Sequence, residues 1–357
     1  MKKRVVIVGA GVVGLHCAVR LAKAGAQVTV LEAEVEHPDV HGPIASAAAA
    51  GMLAPIEAGE HAHEQLALAS YDLWRAWREG AEWADGVRFD GAVVVAANAD
   101  AADQYCLSAH RLGRAATPLS AGQFARSTGF HAKADHALFL EDEGVADPLR
   151  VLTGLAMQAR ALGVSLEFQR DVGLASATHV TTHDDRTYEA DAVILAPGVW
   201  ATESLILAAP ALKHVRPAKG HLVAVDLRQR LGPNLRASNF YVAQRREDAV
   251  LGSTMELDRY DRRVDKARIA ELHVAAEALL PGEVKLTAHA WAGIRPMSPD
   301  GWPMIGPTGE GVLVAAGHSR NGWLMAPITA EIISAYVSGG EISPEWAALS
   351  PERFEQK

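Results

Sequence analysis

A strand, a glycine-rich turn and a helix follow one another at the start of the chain, and this order constrains the fold more than any other feature. Residues 5–8 form an apolar, β-branched run that favours a buried parallel strand. The turn at 9–14 has the spacing GxGxxG, helical periodicity follows over 15–23, and a second strand is predicted over 27–31. Together they predict a βαβ unit that binds a dinucleotide.

The three glycines of the turn have separable roles in such a unit. Gly9 permits the tight turn, Gly11 lets the backbone approach a pyrophosphate at the helix N-terminus, and Gly14 lets helix and strand pack closely. Glu32, at the end of the second strand, is placed to accept hydrogen bonds from an adenosine ribose, and an acidic residue there disfavours the 2′-phosphate of NADP. Because FAD and NAD share the half that this unit recognises, the motif leaves the choice between them open.

Length, charge and cysteine content narrow the class of protein. At 357 residues the chain has room for about two domains, and its 49% hydrophobic and 22% charged residues indicate a globular protein. The net charge is −9 and the sequence has no long basic run, so nothing in the charge pattern indicates a nucleic-acid-binding surface. Only two cysteines, Cys17 and Cys106, are present, which excludes a disulfide scaffold and suits a reducing compartment.

The first residues also resemble a signal peptide superficially, because basic residues at 2–4 precede an uncharged stretch over 5–19. That stretch is shorter than the roughly 20 apolar residues of a membrane span, and the dinucleotide unit explains its glycines. We therefore expect a cytoplasmic protein without a membrane span.

The middle of the chain alternates between helical and strand patterns. The alanine-rich run at 45–55 fits either a helix or a segment whose backbone approaches a flat cofactor. Helices are predicted over 63–79, over 149–162 after the N-cap pair Asp147-Pro148, and over 267–280. Short strands are predicted near 85–95, 137–141, 166–169, 187–190 and 192–195, and an antiparallel sheet from 221–226, 239–244 and 249–254.

The closing segment combines two short motifs with a strand and a helix. The first, Trp291-Ala292-Gly293-Ile294-Arg295-Pro296, precedes a predicted strand at 312–316. The second, Gly317-His318-Ser319-Arg320-Asn321-Gly322-Trp323, precedes a predicted helix at 326–338. Such a strand, glycine turn and helix direct a helix N-terminus at a site that favours negative charge.

Four passages, 9–32, 46–53, 190–198 and 291–328, together resemble the FAD-dependent D-amino-acid oxidase family, and within it the glycine oxidase branch. The resemblance implies an α/β fold with a Rossmann-like FAD-binding domain and an interleaved α+β substrate domain that contains a mixed or antiparallel sheet.

The resemblance also implies domain boundaries. The FAD-binding domain would be discontinuous, comprising residues 1–84, 145–209 and 296–357, and the substrate domain would comprise residues 85–144 and 210–295.

The FAD would be bound noncovalently, because a related branch attaches flavin through a cysteine near 297–303 and no cysteine lies there. By position, residues 318–324 would lie at the pyrimidine edge of the flavin, where amides and a helix dipole stabilise charge on the reduced ring. The implied FAD-binding residues are Gly9, Gly11, Val12, Val13, Gly14, Glu32, Ala33, Ala45, Ser46, Ala50, Gly51, Met52, Val172, Gly198, His318, Ser319, Arg320, Asn321, Gly322, Trp323 and Leu324.

Four residues match substrate-binding positions of the family. Arg295 matches the arginine that binds the substrate carboxylate, a task suited to a planar and always charged guanidinium. Tyr241 matches a tyrosine that contacts the same carboxylate, Arg320 a second arginine, and Met255 a residue of the pocket wall. Asn239 stands where glycine oxidases can carry a histidine, so the side chain that the pocket accepts stays open.

The implied reaction is oxidative deamination of glycine or another small amino acid or amine. A hydride passes from Cα to flavin N5, the imine hydrolyses to a 2-oxo acid and ammonia, and O₂ is reduced to H₂O₂, with thiamine biosynthesis as the implied pathway. Two alternatives remain: a D-amino-acid or secondary-amine dehydrogenase that passes electrons to a quinone or partner, and an inactive FAD-binding scaffold. No metal site is predicted, since His61 and His63 lack further ligands at a suitable spacing, and homo-oligomerisation stays open.

Overall fold

The structure, a computed structural model, describes residues 2–59, 61–130, 132, 134–228 and 232–355. Within them the chain forms two large sheets, two small sheets, and helices. The strands are β1 (Arg4–Val8), β2 (Gln27–Leu31), β3 (Met52–Leu53), β4 (Val87–Arg88), β5 (Ala92–Val95), β6 (Ala116–Leu119), β7 (Ala137–Leu140), β8 (Gly144–Ala146), β9 (Ser165–Glu167), β10 (Val172–Ala175), β11 (His179–Thr182), β12 (Thr187–Glu189), β13 (Ala192–Leu195), β14 (Arg216–Leu227), β15 (Asn234–Ala237), β16 (Tyr241–Gln244), β17 (Ala249–Gly252), β18 (Glu256–Leu257), β19 (Val284–Met297), β20 (Met304–Pro307) and β21 (Leu313–Ala316). The helices are α1 (Val12–Lys23), α2 (Glu64–Trp77), α3 (Ala99–Arg111), α4 (Ala121–Thr128), α5 (Pro148–Ala161), α6 (Glu203–Ala208), α7 (Lys266–Leu279), α8 (Gly322–Ser338) and α9 (Pro344–Ala347), with 3₁₀ turns at Ala84–Gly86, Pro210–His214 and Pro351–Phe354.

The first large sheet is a six-stranded, mainly parallel sheet with the order β20-β21-β13-β1-β2-β9. Only β20 runs antiparallel to its neighbour. The central strand β1 lies between β2 on one side and β13 on the other. The carboxyl end of β1 is therefore a topological switch point of the sheet. Ligands of open α/β sheets bind at such a crevice.

Three helices cover one face of this sheet. Helix α1 packs against both α5 and α8, and most side chains of α8 are buried between α1 and α2. The start of α5 was predicted correctly, because Asp147 accepts a hydrogen bond from the Arg150 amide at 3.3 Å and Pro148 occupies the first helical position.

The second large sheet contains nine strands in the order β18-β14-β17-β16-β15-β5-β7-β6, with β19 paired along the other edge of β14. All pairings are antiparallel except β15 with β5. The predicted α/β fold with a mixed substrate-side sheet is confirmed. The residue boundaries of the two domains stay a prediction.

The structure decides one sequence prediction that was left open and corrects others. The run at 45–50 forms turns rather than a helix, with the Ala47 amide donating to the Ile44 carbonyl at 3.0 Å. Strand β6 was missed, and helix α8 begins at Gly322 rather than at Ala326. None of the helices within the described residues combines the length and apolarity needed to cross a membrane.

Candidate active site

The glycine turn after β1 fits only glycine at two of its positions. Gly9 has φ +105°, and a Cβ on it would lie 2.3 Å from the Ala196 carbonyl oxygen. A Cβ on Gly14 would lie 1.9 Å from the Gly9 carbonyl oxygen, so helix α1 can pack this closely only without a side chain there. The turn therefore carries the N-terminus of α1, with its partial positive charge, to the edge of the parallel sheet.

Two polar residues fix the walls around this turn. The Glu32 carboxylate accepts hydrogen bonds from the Ala10 amide at 2.6 Å and the Glu34 amide at 3.0 Å. The Ser46 hydroxyl accepts from the Val12 amide at 3.1 Å. Both carboxylate oxygens retain further lone pairs, so Glu32 can still accept from a ribose hydroxyl.

A cavity of about 780 Å³, here called the groove, runs along this edge of the sheet. It unites residues from the beginning, middle and end of the chain. Its lining includes Gly9, Gly11, Val12, Val13, Gly14, Glu32, Ala33, Ala45, Ser46, Val172, Gly198, His318, Ser319, Arg320, Gly322 and Trp323, all predicted from the sequence as FAD-binding residues.

A second cavity of about 430 Å³, here called the chamber, adjoins the groove and shares Ala45, Ala49, Arg295, Arg320 and Trp323 with it. The chamber also contains four other predicted FAD-binding residues, Ala50, Gly51, Met52 and Asn321, and all four predicted substrate residues, Tyr241, Met255, Arg295 and Arg320. Leu324 lines neither cavity: it is buried, and its carbonyl accepts from the Ser70 hydroxyl at 2.6 Å.

The turn before α8 directs the N-terminus of that helix at the junction of groove and chamber. Gly317 and Ser319 both have left-handed backbone, at φ +68° and +54°, and the Ser319 hydroxyl accepts from the Ser298 amide at 3.1 Å. Trp323 donates to the Ser46 carbonyl at 3.2 Å, which joins α8 to the alanine-rich turn. A 17-residue helix oriented in this way stabilises negative charge at the junction.

His318 is held as a neutral side chain beside this turn. Burial lowers the pKa of His318 to about 3. The Thr329 hydroxyl donates to the Met325 carbonyl at 2.8 Å, so at 3.0 Å it accepts from His318 Nε2, which therefore carries the ring proton. His318 thus adds no charge to the groove at neutral pH.

Arg295 reaches the chamber across a glycine. It lies on β19, and a Cβ on Gly220 of the neighbouring strand would come within 2.1 Å of its Nη1. Its guanidinium donates to the Ser253 hydroxyl at 2.8 Å and to the Thr254 carbonyl at 3.2 Å. A guanidinium has five N–H donors, so donors remain for a ligand.

The chamber holds an excess of positive charge. Neither Arg295 nor Arg320 forms an ion pair with a carboxylate of the described residues. Burial lowers the pKa of Arg295, and the neighbouring charge of Arg320 acts in the same direction. Because an arginine stays charged in proteins, the largely buried Arg295, with the exposed Arg320 beside it, favours an anionic ligand.

Tyr241 lies over a second glycine of the sheet. It is half-buried on β16, opposite Gly252 of β17, and a Cβ there would lie 2.7 Å from the phenol oxygen. Met255 is 46% exposed at the chamber wall. Gly220 and Gly252 were missed by the sequence reasoning, although a glycine inside an alternating strand signals close approach of another group.

Two further groups at these cavities carried no sequence signal. Trp200, Tyr260 and Arg262 line the groove, where Trp200 donates to the Pro43 carbonyl at 3.0 Å and its ring lies 6.2 Å from that of Tyr260. These side chains form part of the wall of the groove.

At the chamber, Arg236 joins two carboxylates, Glu57 at 2.9 Å and the fully buried Glu143 in closer contact. Burial raises the pKa of Glu143 to about 7. Because Glu57 and Arg236 are already paired, this cluster does not neutralise the two free arginines.

The cysteines and histidines form no second chemical centre in the part of the chain that the structure describes. No group of three or more potential metal ligands occurs there. Cys17 is buried, which raises the pKa of its thiol to about 12, and such a thiol is unreactive.

Comparison with known proteins agrees with this geometry. The pattern of the family described as FAD dependent oxidoreductase matches residues 4–336. The chain belongs to this family of FAD-dependent oxidoreductases. Glycine oxidase from Bacillus licheniformis is 30% identical to it over 379 residues, which cover 99% of each chain.

Solved structures of relatives share the architecture. The crystal structure of glycine oxidase from Geobacillus kaustophilus matches with a TM-score of 0.86 at 28% identity, covering 99% of each chain. L-proline dehydrogenase from P. horikoshii matches with a TM-score of 0.81 at 20% identity over 99% of this chain and 98% of the other, a likeness of fold alone.

The residues present fit the cofactor of this family. The groove combines a glycine turn that a Cβ would fill, a helix N-terminus and an acidic residue at the end of β2, which together suit the adenosine diphosphate half of FAD. The second helix N-terminus, at α8, suits the ring on which negative charge develops.

Proposed function

We propose that this protein is a noncovalent FAD enzyme that oxidises glycine or another small amino acid or amine. The observation that carries the proposal is the pair of arginines without a carboxylate partner, Arg295 and Arg320, in a chamber that opens directly into the dinucleotide groove. A substrate carboxylate supplies the missing negative charge, and this places its α-carbon at the junction of the two cavities.

Each chamber residue has a role that follows from its position. Arg295 binds the carboxylate through its remaining N–H donors, and the Tyr241 hydroxyl donates to the same group. Arg320, exposed and lining both cavities, adds long-range attraction for an anion. Met255 forms part of the wall that contacts the substrate side chain.

The chamber offers no unpaired general base. Its described lining residues include one acidic residue, Glu57, and no histidine. Glu57 is already paired with Arg236. FAD held in the groove would supply the oxidising power, as a two-electron acceptor from the substrate and a two-electron donor to O₂. The protein therefore contributes by binding and orienting an amine in its neutral form rather than by removing a carbon-bound proton.

The overall reaction balances as amino acid, water and O₂ giving 2-oxo acid, ammonia and H₂O₂. The test uses the purified holoenzyme and a panel of glycine, sarcosine and D-amino acids. Without oxygen, at least one member should reduce the flavin absorbance, and with oxygen it should release one H₂O₂ per substrate oxidised. Lack of reduction by every member would contradict the proposal.

The same experiment, with a reducible dye added as a second electron acceptor, distinguishes the dehydrogenase and the inactive scaffold from an oxidase. Rapid reduction by substrate with slow reoxidation by O₂ and fast reduction of a dye would identify a dehydrogenase with another electron acceptor. Tight FAD binding without reduction by any amino acid or amine would identify a scaffold without catalytic activity.

A further inference from the structure

A single segment, residues 253–265, contacts both cavities. At its start, Ser253, Thr254 and Met255 line the chamber, and further along Tyr260 and Arg262 line the groove. This segment has no helix and only the two-residue strand β18, so its shape depends on the side chains that hold it.

The start of the 253–265 segment holds Arg295. The Arg295 guanidinium donates to the Ser253 hydroxyl at 2.8 Å and the Thr254 carbonyl at 3.2 Å. The guanidinium also interacts with the Tyr241 side chain on β16, but both bonds from the 253–265 segment go to Ser253 and Thr254, so a shift of this backbone turns the guanidinium. The positions of Ser253 and Thr254 therefore help to set the direction of the substrate-binding donors.

A fully buried histidine, His221 on β14, joins the two ends of the same segment. The Asp265 amide donates to His221 Nε2 at 3.0 Å, so in the neutral imidazole the proton is on Nδ1. Nδ1 then donates to the Thr254 hydroxyl oxygen at 2.9 Å, and the backbone amide of His221 donates to that oxygen at 3.0 Å.

Charged groups around this imidazole come from both its own strand and the segment. Lys219, two residues earlier on β14, is buried and pairs with Asp261 at 2.6 Å, and Glu256 Oε1 lies 3.3 Å from His221 Nδ1. The Asp265 carboxylate is turned to the Ala267 amide at 2.8 Å, where it caps α7. Lys219 thus fixes the middle of the segment, while His221 fixes its two ends.

We infer that His221 is a positioning residue: the neutral imidazole ties Thr254 to Asp265 so that Ser253 and Thr254 hold Arg295 in the direction that a substrate carboxylate requires. The inference rests on the proposed function for the identity of the anion. It assigns His221 no contact with substrate or cofactor, since His221 lines neither cavity.

The test compares variants that break the tie at chosen points. His221→Gln can present an oxygen near the Nε2 position to the Asp265 amide but loses the donor to Thr254. Thr254→Val keeps the shape and the backbone carbonyl but removes the hydroxyl. The control is His273→Gln, because His273 lies on α7, contacts the Val284 carbonyl at 3.1 Å and lines neither cavity.

With holoenzyme, His221→Gln and Thr254→Val should each raise KM, and the dissociation constant of acetate measured by flavin difference absorbance, by about tenfold, the size of one lost hydrogen bond. kcat should change by less than about twofold, since Arg295 is displaced rather than removed. The double variant should be no worse than either single variant, because both changes break the same contact. Amide exchange of the 253–265 segment should also become faster.

The outcomes separate the inference from the proposed function. If wild-type enzyme oxidises an amino acid or binds acetate, and His221→Gln changes neither constant more than His273→Gln does, the inference is wrong. If the two effects add, His221 does not act through Thr254. If wild-type protein shows neither turnover nor acetate binding, the proposed function fails. If amide exchange of the 253–265 segment is unchanged in His221→Gln, His221 does not hold this segment.

Discussion

Replacing Arg295 by methionine should remove the main contact with the substrate carboxylate while keeping the apolar stem of the side chain. The guanidinium donates to the Ser253 hydroxyl and the Thr254 carbonyl and also interacts with Tyr241, and its remaining N–H donors allow a two-point contact. Charge-assisted hydrogen bonds contribute about 1.5–3 kcal/mol each, so two would contribute about 3–6 kcal/mol. Because the side chain is half-buried, we expect the lower part of that range, about 3–4 kcal/mol, or a loss of about 100- to 1000-fold in kcat/KM.

The assay is flavin reduction by substrate in the absence of oxygen, which isolates the step that Arg295 serves. Arg295→Lys, which keeps the charge without the planar fork, should fall between the wild type and Arg295→Met. An amine that lacks a carboxylate should be oxidised equally slowly by all three proteins. Arg160→Met is a matched control, since Arg160 pairs with Glu36 at 2.8 Å on the surface and lines neither cavity.

The dissociation constant of FAD should not change in Arg295→Met, because the groove is formed mainly by other residues. A loss below about fivefold, or an equal loss for carboxylate and non-carboxylate amines, would refute the assignment of Arg295 as the carboxylate-binding residue.

Three further predictions follow from single contacts. Gly220→Ala places a Cβ 2.1 Å from Arg295 Nη1, so the guanidinium must move. KM should rise at least about tenfold with little loss of thermal stability. An unchanged KM would contradict this packing of Arg295 against Gly220. Tyr241→Phe should raise KM about 5- to 15-fold, the value of one hydrogen bond, with FAD affinity as the control; an unchanged KM would exclude the hydroxyl from substrate binding. Burial lowers the pKa of His16 to about 3. Below about pH 6.5 the unfolded chain therefore binds a proton at His16 that the folded protein does not bind, and the free energy of unfolding falls as the pH drops. Between about pH 7 and pH 5, the free energy of unfolding measured in urea should fall by about 2 kcal/mol less in His16→Leu than in the wild type. An identical pH dependence in the two proteins would refute the burial argument.

The elements that could be predicted are those whose signals are local. Strand β1, its glycine turn and helix α1 form where expected, because the β-branched run, the glycine spacing and the helical periodicity lie within one short stretch. Helix α5 begins at its Asp-Pro cap for the same reason. Strand β6 was missed because it contains Pro118, which a strand tolerates at the edge of a sheet, and that edge position is a tertiary property.

The site shows the same division between local and long-range information. The groove residues at 9–14 are predictable from their spacing, whereas the roles of Arg295 and Tyr241 came from family resemblance rather than from periodicity. Gly220 and Gly252 matter only because strand register places them beneath these two side chains. Likewise, His221 joins Thr254 to Asp265 through contacts that no local pattern encodes.

The most direct test of the account is anaerobic titration of the FAD-loaded protein with small amino acids, followed by flavin absorbance. We predict complete reduction by at least one substrate that carries a carboxylate, and a loss of about 100-fold or more in the rate at subsaturating substrate when Arg295 is replaced by methionine. Flavin that stays oxidised with every amino acid and amine, or reduction that is indifferent to Arg295, would contradict it.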